Sequence, residues 1–208
     1  MTPTYERALA AERAGDLAAA LDMFKAIVDS TDVDRGDVSF HCGWCNERMG
    51  LHQPALHWYE DASLHAHATE CAVNSYFRAG WILREHGNHA RSAAMFMHAI
   101  DRAELSRWQG ELYHHAMFWY AVSLESLGRY REAIRWHQRI RALSPTLDPE
   151  SRVREIVCCI NVGLFDQAIC LCRTFEAGPP EGFPEKRYGE LQAVAARERS
   201  SLTSLSQE

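Results

Sequence analysis

Gly15, Gly50, Gly87, Gly128 and Gly163 recur along the 208-residue chain at spacings of 35, 37, 41 and 35 residues. Nothing else in the sequence restricts the fold so strongly, because a period of roughly 20–50 residues means stacked copies of one supersecondary unit. Four further registers keep step with the glycines. Five residues after each stand Ala20, Ala55, Ser92, Ala133 and Ala168; nine after stand Phe24, Tyr59, Phe96, His137 and Cys172. Twelve after stand Ile27, Ala62, Ala99, Ile140 and Phe175, and seven before stand Ala8, Gly43, Gly80, Ala121 and Ile156. Small residues seven before and five after a turn let two antiparallel helices approach closely at one crossing. The bulkier positions fill the wedge where the helices diverge. A turn glycine supplies the positive φ that ends the first helix. Asp16 and Asn88 are good N-caps for the second helix, and Pro54 fits a first turn where a missing N–H costs nothing. Pro145, after "RIRALS", closes the fourth unit.

With these registers the chain resembles the tetratricopeptide repeat family. The fourth unit, "AMFWYAVSLESLGRYREAIRWHQRIRALSP", carries Gly128, Tyr130, Ala133, Ile140 and Pro145 where that motif has them; "GDLAAALDMFKAI" and "GLHQPALHWYEDA" match nearly as well. Ser92 for Ala and Ile156 at the close-packing position make the third and fifth units looser. The resemblance covers residues 3–177 and implies an all-α, right-handed superhelical solenoid of five helix pairs with a concave groove. The expected division is an array over 1–177, a Pro/Gly-rich linker over 178–184 and a capping helix over 185–199. The helix carries Tyr188, Leu191, Val194 and Ala195 as its apolar stripe, and 200–208 is expected to be a flexible tail. The longer third step places extra residues around "RAELSRWQGELYHH", as a lengthened helix or a loop.

The resemblance also implies where a partner would lie. In this family the first helix of each unit lines the groove through residues about ten, six and three before the turn. Ten before gives Tyr5, Phe40, Phe77, Phe118 and Val153; six before gives Leu9, Trp44, Trp81, Val122 and Val157. Three before gives Glu12, Glu47, Arg84, Glu125 and Ile160. The expected groove set is Tyr5, Phe40, Trp44, Glu47, Arg48, Phe77, Trp81, Arg84 and Phe118, with Glu85 also flanking the aromatic strip. Exposed aromatic area of this kind marks an interaction site, and aromatics with Arg are the usual anchors. The implied ligand is an apolar or aromatic peptide, or a helix of a partner protein, as for an adaptor or a chaperone covering an amphipathic helix. A second copy of the chain is an alternative occupant. Repeats that clamp the C-terminal carboxylate of heat-shock chaperones carry Lys ten before the turn and Asn six before. Phe40, Phe77, Trp44 and Trp81 stand there instead, which excludes that clamp.

The remaining signals weigh against other classes. A net charge of −6, with neutral His, argues against phosphate-backbone binding. No run of eighteen apolar residues suggests a membrane span, and the charged N-terminus lacks the layout of a secretory signal. Seven Cys, including the neighbours Cys158 and Cys159, are not a disulfide framework and point to reduced thiols in the cytoplasm. Cys42-Gly43-Trp44-Cys45 beside His41 has the form of a redox pair or half a zinc site. No second such motif completes four ligands, and no strand alternation provides a thioredoxin-like setting. In the repeat register both thiols face the packing side. The rival reading is a metal- or small-molecule-binding helical protein using the clusters His41/Cys42/Cys45, His65/His67/Cys71, His86/His89 and His114/His115. No Ser-His-Asp pattern, phosphate loop or carboxylate pair suggests an enzyme, and no cofactor or metal is expected.

Overall fold

The protein is seen in a computed structural model, which describes residues 4–179 and 184–205. Among them are α1 (Tyr5–Arg13), α2 (Leu17–Ile27), α3 (Arg35–Arg48), α4 (His52–His65), α5 (Thr69–Glu85) and α6 (His89–Leu105). There follow α7 (Glu111–Ser126), α8 (Tyr130–Leu143), α9 (Asp148–Asn161), α10 (Phe165–Arg173) and α11 (Glu185–Leu205), with a 3-10 turn over Thr174–Ala177. No strand occurs among the described residues. The chain divides into two compact units, Met1–Ala116 and Met117–Glu208, each described by itself below. The repeat registers alone place no boundary there.

Each turn closes in the same way. The five glycines have φ between 72° and 85°. The residue after each one donates its N–H to the carbonyl five residues before itself: Asp16 to Ala11, Leu51 to Asn46, Asn88 to Leu83, Arg129 to Leu124 and Leu164 to Cys159, at 2.8–3.0 Å. These six-to-one bonds satisfy carbonyls that the helix end leaves open. Asp16 then accepts from the Ala19 N–H at 3.2 Å and Asn88 from that of Arg91 at 3.3 Å, capping α2 and α6.

In the first unit α1–α2, α3–α4 and α5–α6 form three helical hairpins. Their crossings follow the small-residue register. A Cβ added to Gly43 would lie 2.7 Å from the Tyr59 ring, and one added to Gly80 would lie 2.9 Å from the Phe96 ring. Glycine seven before the turn thus admits the ring nine after it. Ser92 replaces alanine at a fully buried site because its Oγ donates to the Gly80 carbonyl at 2.8 Å. Phe24, Tyr59 and Phe96 are wholly buried, each contributing about 1.5–3 kcal/mol by leaving water. The long third step resolves into both alternatives: α6 runs on to Leu105, and residues 106–110 form a loop in which Arg107 has φ 54°.

In the second unit, α8 packs on α9 and α9 on α10. Glu155, with 1% of its surface exposed, accepts from Arg141 Nη1 at 2.7 Å, Gln138 Nε2 at 2.8 Å and Gln167 Nε2 at 3.1 Å. It ties α8, α9 and α10 together. Helix α11 covers α9 and α10 with Tyr188, Leu191 and Ala195, and Gln192 Nε2 donates to the Phe175 carbonyl at 2.9 Å. The expected tail over 200–208 differs: α11 continues to Leu205. The "SSLTSL" stretch has modest helix propensity, but Leu202 is buried on the same stripe and packing decides. Residues 180–183 of the expected linker and 206–208 of the expected tail lie outside the described residues.

Candidate functional site

The first helices of successive hairpins meet side by side in the first unit. Glu12 of α1 takes His41 Nδ1 of α3 at 2.7 Å, and Glu47 of α3 takes Arg78 Nε of α5 at 3.0 Å, with a second Arg78 nitrogen on its other oxygen. Tyr59 of α4 donates its hydroxyl to the same Glu47 at 2.7 Å. In the second unit Glu125 receives His137 Nε2 at 2.7 Å and Arg154 Nη1 at 2.9 Å. One rule describes all three. The Glu three before a turn binds the basic residue nine before the next turn and, where it is polar, the residue nine after its own turn. Glu47 is therefore a staple whose acceptors are occupied. It is not the free groove contact expected of it.

The half-buried indoles stand beside these staples. The Arg78 guanidinium carbon lies 4.7 Å from the Trp44 ring centroid, with Arg48 at 5.9 Å on that ring, and Arg84 lies 5.3 Å from that of Trp81. Such stacking of Arg on Trp is favourable and holds the ring's orientation. Arg84 also reaches Glu85 at 3.3 Å. At the other end of α3 and α5 a cavity of about 250 Å³ is lined by Asp37, Phe40, His41, Glu70, Cys71 and Asn74. Phe40 is half-buried, 5.7 Å from the Tyr59 ring. Tyr5 is engaged at both ends: its hydroxyl bonds Asp37, and its ring meets Phe24 edge-on at 6.0 Å. Burial, with Asp37 adding to it, pushes that phenol up.

Two expected groove residues are core. Phe77 is 9% exposed and packs edge-on to Phe96 at 5.5 Å; Phe118 is 7% exposed and meets His137 at 6.0 Å. Ten before the turn is one helical turn from the close-packing position seven before, so in α5 and α7 this residue leans into the hairpin. The outer stripe of α5 is Asn74, Arg78 and Trp81 at i, i+4 and i+7. Arg78 and Asn74 went unseen in the sequence, although their helical spacing with Trp81 was there to find.

The thiols are packing groups. Cys42 and Cys45 are wholly buried, and burial pushes both up to about 12, helped by their mutual repulsion at Cys42 and by Glu12 at Cys45. A protonated, enclosed thiol is a poor nucleophile. Iodoacetamide at neutral pH is expected to label exposed Cys170 well before Cys42 or Cys45, as read by peptide mass spectrometry. Rapid labelling of the pair would restore the redox reading.

Among the described residues none of the four His clusters brings three ligand atoms together. His41 binds Glu12, His65 Nδ1 lies 2.9 Å from the Asp61 carbonyl, His67 Nδ1 is 3.2 Å from Asp34, and His115 Nε2 is 3.5 Å from Glu111. Burial, then His115, lowers His114. A set outside those clusters does converge: donor atoms of Glu125, His137 and Cys158 lie within 4.8 Å of one another. Both Glu125 oxygens are held by His137 and Arg154, the arrangement that Tyr59 and Arg78 make around Glu47 without a metal-binding side chain. Burial, with Glu125 next, pushes the Cys158 thiol up. The set is a repeat staple in which His replaces Tyr.

The structure therefore defines an all-α protein of turn-closed helical hairpins, the fold class of tetratricopeptide-repeat solenoids. Residues 77–148 match the tetratricopeptide repeat family model. Its fold is similar to that of MamA, with a TM-score of 0.63, 13% identity and coverage of 95% of this chain and 96% of that one. YrrB, a tetratricopeptide-repeat protein with an unusual peptide-binding site, superposes with a TM-score of 0.58, 13% identity and coverage of 79% and 82%. The repeats of a putative kinesin light chain from Podosopora anserina give 0.59, 13%, and 92% and 94%. No curated protein matches the chain in sequence. No helix among the described residues is long and apolar enough to cross a membrane.

Proposed function

We propose that the chain is a non-catalytic interaction scaffold whose α3–α5 face captures a peptide or amphipathic helix of a partner protein. The observation that carries this reading is the pair of half-buried indoles, Trp44 and Trp81, each with an Arg guanidinium against its ring. Aromatics stiffened in this way present large apolar area at little cost in side-chain entropy, as binding anchors do. The acidic cavity at the far end of the same helices, with Asp37 and Glu70, suits a basic side chain of the ligand. Phe40 and exposed Arg48 complete the face. The peptide-binding site named for YrrB supports the same use of the fold. Seven free thiols, five of them buried, go with a reducing, cytoplasmic setting. Shielding of a partner's amphipathic helix, in the manner of a chaperone, is the form of activity this face suits best.

The test is a binding comparison. A partner recovered with the wild-type chain from its host and identified by mass spectrometry should bind Trp44→Ala plus Trp81→Ala roughly 30-fold or more weakly. The thermal midpoint should move by no more than about 3 °C. A collapse of the midpoint would make the rings packing groups, and undiminished binding would move the site elsewhere. Sedimentation of the wild-type chain separates a foreign partner from a second copy.

A further inference from the structure

A second constellation lies away from that face, at the turn ends of the first unit. His52 opens α4, and His86 caps the C-terminus of α5. Their ring centroids are 4.7 Å apart, edge to face at 66°. Both line a cavity of about 150 Å³ floored by Leu56, Ile82 and Leu83. His86 Nδ1 lies 2.8 Å from the Ile82 carbonyl, so Nδ1 carries the proton and Nε2 presents its lone pair. That is the arrangement by which an outer hydrogen bond fixes a ligating imidazole's tautomer and orientation. His52 Nδ1 is buried and has no hydrogen-bond partner, a state that a native interior seldom tolerates without a water or an ion.

We propose that His52 and His86 form a two-imidazole site for a divalent late transition-metal ion, Zn2+ or Cu2+, with water completing the shell. Imidazole nitrogens suit these ions, whereas Mg2+ and Ca2+ require oxygen donors, and no carboxylate lines the cavity. A ring separation of 4.7 Å lets one nitrogen of each approach a common ion at about 2.0–2.1 Å after small rotations. Arg91, also at the cavity, is turned to Glu60 at 3.2 Å on the solvent side. The site differs from Glu125, His137 and Cys158. There both carboxylate oxygens are already taken, one by His137 Nε2 and the other by Arg154 Nη1.

Calorimetric titration of the full chain with ZnSO4 tests the assignment. The wild type should take up one ion per chain through this site, and His52→Ala and His86→Ala should each weaken it roughly tenfold or more. His89→Ala should leave it unchanged, because His89 opens α6 in the same way but does not line the cavity. Long-range 1H–15N spectra of the unsubstituted chain give a second reading that does not depend on the folding of any variant. They should show His86 as the Nδ1–H tautomer, with the ring nitrogens of His52 and His86 shifting together on Zn2+ addition. Unmoved resonances, or His52 and His86 variants that bind as the wild type does, would overturn the site.

Discussion

Gly36→Ala is expected to be among the most damaging single-methyl changes in the first unit, lowering stability by about 3 kcal/mol. The added Cβ would stand 2.2 Å from Ala66 Cα and 2.3 Å from its nitrogen. These are backbone atoms at the C-cap of α4, so no rotamer change relieves the overlap and two helices must part. Alanine is the better helix former by about 1 kcal/mol, and the clash outweighs that gain. Gly15→Ala supplies the scale. An added Cβ there meets nothing within 4 Å, and only the positive φ is lost, at roughly 1 kcal/mol. Urea unfolding followed by circular dichroism should rank Gly36→Ala clearly below Gly15→Ala. A neutral Gly36→Ala would show that the α3–α4 approach is looser than described.

The second large effect is expected at Glu155→Ala, at about 3 kcal/mol. That carboxylate is almost wholly enclosed and accepts from three side chains on two helices. Removing it leaves the two amides without their shared acceptor. Arg141 fares better, because it keeps Asp148 at 3.0 Å and is 26% exposed, which holds the loss near the lower end of the range for a broken buried pair. Glu155→Gln should cost less, since it keeps the shape and one acceptor. Glu150→Ala, which removes a partner of half-exposed Arg187 at 3.0 Å, should cost under about 1 kcal/mol. Equal midpoints for Glu155→Ala and Glu150→Ala in guanidinium would show that the enclosed network contributes nothing special.

The hairpins were legible because their cause is local and periodic. A turn glycine, a small residue on either side of it and a ring nine residues on each constrain one crossing, and the five glycines then close alike. The proposed face was legible only in part. Trp44 and Trp81 are half-buried on the outer side of their helices, as the register implies, but Phe77 and Phe118 turn inward because a residue ten before the turn can lean to either side of its helix. Which side it takes depends on the neighbouring hairpin, and that is not written in its own repeat. Arg78 escaped for a related reason. Its role comes from Glu47, thirty-one residues earlier, and only the stacking of hairpins makes them neighbours. The Cys-x-x-Cys motif shows the reverse case, a familiar local pattern whose chemistry is cancelled by the face on which the thiols lie. The end of α11 is set by the burial of Leu202, a contact that the local "SSLTSL" sequence does not announce.

The glutamate staples also give the chain a reading order. Glu12, Glu47 and Glu125 each require a base nine before the following turn, and His41, Arg78 and Arg154 provide it. The third unit breaks the series, with Arg84 at the acidic position and Trp119, which is not basic, at the matching place in the next unit. A hairpin moved to another slot would therefore bring arginine to arginine or leave a carboxylate unanswered. The repeats look interchangeable by their glycines and alanines, but their charges are lock and ward, and a chain rebuilt by shuffling or duplicating them would need its keys recut.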